Sequence, residues 1–310
     1  MAGTARVGLM FAGQGAQSVG MGKALYEAFA EARETFAEAE RASGLPLRRL
    51  CFEGPAEALA ATEVTQPALL TVDVAAWRVV ARQEGLEPLA AAGLSLGEYA
   101  ALVAAEAVDF ATAVRLVQAR GRLMQAAVPA GEGGMLALMG LERSAVEALC
   151  REVAPEGDAV AANFNCPGQV VVSGRVAALE RVREAALQGG ARRAMRLDVS
   201  APFHMPLLGP ARQAMLPLLE AVAWQRPRFP VVANLTGRPL GAPAEIVEAL
   251  ARQVDSPVEW QACVEAMVAL GAEVLVELGP GRALCGFARR IAPDVPVRAV
   301  QSPDDLLVRS

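Results

Sequence analysis

Two rhythms alternate along this chain. Short apolar runs at 7–12, 90–94 and 274–278 lie beside glycines and read as buried strands. Longer stretches with apolar residues at helical spacing occupy 21–42, 68–84, 95–104 and 110–128. Pro67, in Thr65-Gln66-Pro67, fits an early helical position, where its missing N–H costs least. Strand and amphipathic helix in alternation predict a mostly parallel sheet covered on both faces.

The middle of the chain breaks this rhythm. A strand at 135–139 and a helix at 142–153 precede two strands, 159–164 and 169–173. Those flank the turn Asn165-Cys166-Pro167-Gly168. A helix at 176–188 and a strand at 191–199 complete a strand-helix-strand-strand-helix-strand order, the ferredoxin-like pattern. The glycine-rich stretch 129–134 and Pro202 read as hinges. The predicted fold is α/β: a large domain over 1–129 and 199–310, interrupted by a ferredoxin-like subdomain over 130–198. The large domain resumes with helices at 206–222, 244–254 and 258–270 and strands at 231–235 and 274–278. A last strand and a loose end are expected within 294–310.

Composition narrows the class. Hydrophobic residues make up 54% and charged residues 20% of 310, enough for a large core. A net charge of −5 argues against a surface that grips nucleic acid as a whole. No run reaches the roughly 18 apolar residues of a membrane span, and without a basic segment followed by an apolar run in the first residues no secretory leader is expected. A cytoplasmic protein with no membrane contact is expected. Cys51, Cys150, Cys166, Cys263 and Cys285 are scattered without a CxxC pair, so neither a metal nor a disulfide framework is expected. Gly13-Gln14-Gly15 meets Ser18 where a dinucleotide fingerprint needs glycine, which speaks against a nicotinamide cofactor.

The sharpest chemistry lies in Gly93-Leu94-Ser95-Leu96-Gly97, between an expected strand and an expected helix. That context suits a nucleophile elbow, a tight turn that exposes a serine hydroxyl. Developing negative charge would sit at a helix start, with the Leu96 N–H as its first donor. The plainer alternative is a helix N-cap serine. His204 is the single histidine, so an imidazole base for Ser95 has one possible address. Spacing does not choose an orienting partner for it among Asp198, Asp255, Glu259 and Glu277, and a carbonyl could serve instead. Arg120 falls on the edge of the apolar stripe of its helix, while Arg115 and Arg122 fall on the opposite face. An inward arginine needs a carboxylate or carbonyl partner, from the protein or from an acidic substrate.

Further segments accompany these: Phe11-Ala12-Gly13-Gln14-Gly15, Thr65-Gln66-Pro67-Ala68-Leu69, Ala162-Asn163-Phe164-Asn165, Pro202-Phe203-His204, Ser256-Pro257-Val258-Glu259-Trp260 and Glu277-Leu278-Gly279-Pro280-Gly281. With the serine motif and Arg120 in Gln118-Ala119-Arg120-Gly121-Arg122, they resemble the malonyl-CoA:acyl carrier protein transacylases along nearly the whole chain. These are α/β-hydrolase-like enzymes of fatty acid and polyketide synthesis.

The resemblance implies that Ser95 takes the malonyl group as an ester and that His204 is its base. It implies that the main-chain carbonyl of Gln253 orients His204, and that the N–H groups of Gln14 and Leu96 form the oxyanion hole. Arg120 would hold the malonyl carboxylate, and Gln66 would stand near the site. The partners implied are malonyl-CoA, as a coenzyme A thioester substrate with no bound cofactor, and acyl carrier protein. Arg289 and Arg290 are candidates to meet an acidic carrier, and a monomer is expected. Leu94 departs from the histidine usual before the nucleophile. The competing readings are a serine esterase that does not need Arg120, a catalytically idle scaffold, and an acyltransferase with another donor. The dyad also predicts an acid limb that follows one titrating imidazole.

Overall fold

The computed structural model describes residues 5–129, 131–199 and 201–307. Residue 130, within the first expected hinge, residue 200, just before the second, and both chain ends lie outside the described residues. The strands are β1 Val7–Phe11, β2 Pro88–Gly93, β3 Gly133–Met139, β4 Ala159–Cys166, β5 Gln169–Arg175, β6 Arg193–Arg196, β7 Val274–Leu278 and β8 Val297–Val300. They form two four-stranded sheets, β2-β1-β7-β8 and β4-β5-β3-β6.

The first sheet is parallel throughout. Its alternation is visible in β1: Val7, Leu9 and Phe11 enter the largest apolar cluster, while Met10 enters another on the opposite face. The alanines of β2 divide in the same way, Ala91 to one side and Ala90 and Ala92 to the other. Helices Thr62–Glu84, Gly97–Ala104 and Phe110–Ala126 supply much of the larger cluster. Helices Trp260–Ala269 and Ala283–Ile291 supply the other. Both faces are therefore covered, as a parallel sheet requires.

The second sheet is antiparallel. Its spatial order places the strands of 133–196 as second, third, first and fourth, which is the ferredoxin-like arrangement. Helices Arg143–Val153 and Val176–Gln188 close a separate apolar cluster against it. A short parallel bridge, Asn163 to Val258, ties this sheet to the segment before the Trp260–Ala269 helix.

The structure departs from the sequence pattern in several places. The helix expected over 21–42 is two, Lys23–Ala28 and Ala30–Ser43, because Phe29 is extended. The break lets Tyr26 meet Phe36 edge-on, ring centroids 5.6 Å apart. Residues 65–67 do not precede a helix but lie inside Thr62–Glu84. The strand expected at 231–235 is reduced to isolated bridges, Val231 beside Ala91 and Val232 opposite Pro239. A tight turn ends it at once, with the Gly237 N–H donating to the Ala233 carbonyl. The strand expected at 191–199 keeps only Arg193–Arg196, and the expected helix 258–270 starts at Trp260, since Val258 is used in the bridge.

Candidate active site

The elbow follows from close packing at the end of β2. A Cβ on Gly93 would stand 1.9 Å from the carbonyl carbon of Gly97, and one on Gly97 would stand 2.4 Å from the Phe11 carbonyl oxygen. Only glycine fits either position. Between them Ser95 takes φ 52, in the left-handed region that L-residues rarely occupy. The Gly97 N–H closes the turn onto the Leu94 carbonyl, and the Gly97–Ala104 helix begins. Asn234 brackets the turn from the side. Its Oδ1 accepts from the Ser95 N–H at 2.6 Å, and its Nδ2 donates to the Gly93 carbonyl at 2.8 Å.

His204 also has positive φ, 59°, just before a short 3-10 turn, Pro206–Leu208. Its Nε2 lies 2.7 Å from Ser95 Oγ, and its Nδ1 lies 2.8 Å from the Gln253 carbonyl oxygen. A carbonyl only accepts, so Nδ1 carries the proton and Nε2 is free to accept from the serine hydroxyl. The carboxylates left open by the sequence are engaged elsewhere. Asp255 pairs with Arg212, Glu259 pairs with Arg143, and Glu277 accepts from the N–H groups of Leu284 and Cys285. Asp198 lines a different cavity.

Arg120 is 1% exposed and reaches Ser95 directly. Its Nη2 donates to Ser95 Oγ at 3.0 Å and to Gln253 Oε1 at 2.8 Å, and its Nη1 donates to Gln66 Oε1 at 2.9 Å. Its Nε is buried without a partner. Arg115 and Arg122 of the same helix are exposed, as the stripe implied. Gln66 therefore stands behind Arg120, its own Nε2 directed at the Met124 sulfur.

A cavity of about 390 Å³ opens over these groups, between the first sheet and the face of the second. Gln14, Ser95, Arg120, Met135, Phe203 and His204 are among its walls. The Gly13-Gln14 loop lies close against the elbow: a Cβ on Gly13 would come within 2.4 Å of the Leu94 carbonyl oxygen. Leu94 itself lines the cavity. Asn163 and Asn165 line it as well, each with a buried Oδ1 that has no partner. Arg289 and Arg290 are exposed. Arg290 donates to the Pro167 carbonyl and borders a second cavity with Arg192 and Arg193.

Two contributors were given no role by the sequence. Glu98, in the first turn after Ser95, is fully buried. Its Oε2 accepts from Gln253 Nε2 at 2.7 Å and from the Asn234 N–H at 3.0 Å. Burial pushes this carboxyl up to about 7, against the pull of those two donors and of Arg120. Asn234, also fully buried, is the second. The available signals were a glutamate in an otherwise apolar helix turn and an asparagine ending an apolar run. His204 moves the other way: burial, reinforced by the charge of Arg120, lowers it to about 3 despite the Gln253 carbonyl.

The described residues contain no cluster of three or more His, Cys, Asp or Glu able to hold a metal. None of their helices is long and apolar enough to cross a membrane. The five cysteines are unpaired and buried.

The acyl transferase domain family model matches residues 9–290. The malonyl CoA-acyl carrier protein transacylase of Salmonella typhimurium is 45% identical over 295 residues, 95% of each chain. The chain belongs to the malonyl CoA-acyl carrier protein transacylase family. The transacylase of the same name from Bacillus subtilis is 39% identical, over 97% of this chain and 95% of its own. Among solved structures, the malonyl-CoA:acyl carrier protein transacylase of Xanthomonas oryzae superposes with a TM-score of 0.95 at 41% identity. The match covers 97% of this chain and 96% of that one. A malonyl-transacylase in complex with a type II PKS acyl-carrier protein gives 0.94 at 42% identity, over 97% of each chain. This transacylase-family chain is an acyltransferase with the α/β architecture of those relatives.

Proposed function

We propose that the protein transfers a malonyl group from malonyl-CoA to the phosphopantetheine thiol of acyl carrier protein, through a malonyl ester on Ser95. The observation that carries this reading is the buried Arg120 guanidinium, 3.0 Å from the same Ser95 Oγ that His204 Nε2 meets at 2.7 Å. A cation beside the nucleophile and out of water favours an acyl group that brings its own carboxylate. A plain esterase has no use for it.

In the first half-reaction Ser95 Oγ attacks the thioester carbonyl and its proton passes to His204 Nε2. The Gln253 carbonyl stabilises the imidazolium through Nδ1–H. The N–H groups of Leu96 and Gln14 are assigned to the oxyanion, which the close approach of the Gly13 loop to the elbow supports. Collapse breaks the carbon–sulfur bond, and His204 returns the proton to the departing coenzyme A thiolate. The second half-reaction is the reverse with the carrier thiol: His204 takes its proton, sulfur attacks the ester, and Ser95 recovers a hydrogen. Arg120 holds the malonyl carboxylate in both.

The segment 130–198 is read as a subdomain that roofs the cavity. Arg289 and Arg290 are read as part of the face an acidic carrier meets, and the protein as a cytoplasmic monomer. Mass spectrometry after incubation with malonyl-CoA, with and without carrier protein, tests the whole. A malonyl adduct on Ser95 that moves to the carrier is expected. Release of free malonate with no malonyl-carrier would overturn the transfer in favour of hydrolysis.

A further inference from the structure

Beneath the dyad Arg120 faces a second buried charge, Glu98, which the acyl-transfer steps leave unused. The Gln253 side-chain amide joins the two. Its Oε1 accepts from Arg120 at 2.8 Å, and its Nε2 donates to Glu98 Oε2 at 2.7 Å and to the Ser95 carbonyl at 3.0 Å. Arg120 and Glu98 are both fully enclosed. The other groups facing Glu98 carry no charge to balance Arg120. Tyr99, its neighbour on the same helix, and Cys263, on the Trp260–Ala269 helix, are both held protonated by burial. Asn234 and Gln253 are amides, and His204, near Arg120, is held neutral. Within the protein's own groups, one buried anion thus faces one buried cation.

A carboxylated donor upsets this balance. Its carboxylate would place two anions against a single guanidinium, in a space with little water to screen them. We propose that Glu98 takes up a proton from solvent when the donor's carboxylate reaches Arg120, so that the enclosed charge of the site stays constant. Glu98 then acts on donor choice from behind, through Gln253 and Arg120, as a positioning residue. The geometry provides a place for the proton: Oε2 holds both hydrogen bonds, while Oε1 has no partner and can be protonated without breaking either. This carboxyl titrates at about 7, so a second anion nearby moves it across the neutral range. The inference rests on the malonyl reading above, since an uncharged acyl donor would leave Glu98 as it is.

Proton uptake is measured directly by calorimetric titration of the Ser95→Ala protein with malonyl-CoA. Two buffers of different ionisation enthalpy are used at about pH 8, above the Glu98 titration. Uptake of about one proton per malonyl-CoA is expected, with none for acetyl-CoA, which shares every phosphate but lacks the carboxylate. Adding Glu98→Gln should abolish the uptake. It should also remove the loss of malonyl-CoA affinity, about tenfold per pH unit, expected above about pH 7 in Ser95→Ala alone. A residue that only props up the fold would not change that pH dependence. Saturable malonyl-CoA binding without proton uptake overturns the proposal, as does uptake undiminished by Glu98→Gln. If the wild-type protein gains no malonyl mass and Ser95→Ala does not bind malonyl-CoA, the malonyl reading itself falls, and this inference with it.

Discussion

Ser95 and His204 meet at 2.7 Å, and both hold the left-handed backbone conformation, with φ 52 and 59. Their side chains converge because each backbone is bent out of its ordinary range where it enters a helical turn. Serine is held there by the glycines of the elbow and by Asn234, histidine by the Gln253 carbonyl. Replacing Ser95 by Ala should abolish the malonyl adduct while leaving the fold intact, read by intact mass and circular dichroism. An adduct of undiminished yield would remove Ser95 from the chemistry.

Asparagine tolerates positive φ better than most residues, so His204→Asn separates base from backbone. Acylation should slow by about 10²–10⁴-fold, the usual contribution of a general base, with little loss of stability. Rapid-quench acylation kinetics and a thermal melt together report both. Wild-type kinetics would exclude the imidazole as base, because no second histidine exists in the chain.

Arg120→Ala should cut the preference for malonyl-CoA over acetyl-CoA by roughly 10- to 100-fold, the equivalent of about 1.5–3 kcal/mol for a hydrogen bond to a charged group. It also strands the buried Oε1 atoms of Gln66 and Gln253, so a lower melting temperature is expected. A competition between the two donors, followed by mass, reads the selectivity. Unchanged preference would mean that the acyl carboxylate is held elsewhere.

The acid limb should not lie where an ordinary imidazole titrates. At pH 5 an unperturbed histidine would be about 3% neutral and would cost roughly 30-fold in rate. With His204 lowered to about 3, the base stays neutral there, and Ser95 acylation should be nearly flat from about pH 7 to pH 5. Arg120→Ala removes one cause of the depression, so the limb should move to higher pH. A wild-type limb centred near the ordinary histidine value would contradict the buried geometry.

Stability has its own pH signature. His204 is lowered from 6.5 to about 3, so the unfolded chain binds the extra proton and stability falls as pH drops through that window. Glu98 is raised from 4.5 to about 7, so the folded chain binds the extra proton and stability falls as pH rises through that window. Between 4.5 and 6.5 the two slopes oppose. Glu98→Gln should expose the histidine slope, up to about 1.4 kcal/mol per pH unit, as a steeper loss on acidification in urea melts. Parallel curves for the two proteins would refute the opposed titrations.

Much of this site could be read from residue order because its chemistry is local. Gly93-Leu94-Ser95-Leu96-Gly97 describes a turn by itself, since only glycine permits the backbone contacts on either side of the serine. A solitary histidine narrows the base by composition alone. Arg120 is turned inward by the 3.6-residue period of its own helix, a property any isolated helix would share. The two sheets follow from the same kind of local pattern, as does the order of the six elements between 133 and 196.

Other features exist only after folding. Which carbonyl orients His204 depended on bringing Gln253 across 49 residues, and the family resemblance named it where spacing could not. Glu98, Gln253 and Asn234 form one network through contacts 136 to 155 residues apart, and no periodicity encodes such a distance. The break at Phe29 and the truncated strand at Val231 were decided by aromatic packing and a tight turn, which override local preference. The sequence alone determined which groups could do the chemistry, because backbone geometry and side-chain type are properties of short segments. Only the tertiary structure decided their charge, because desolvation depends on everything packed around them.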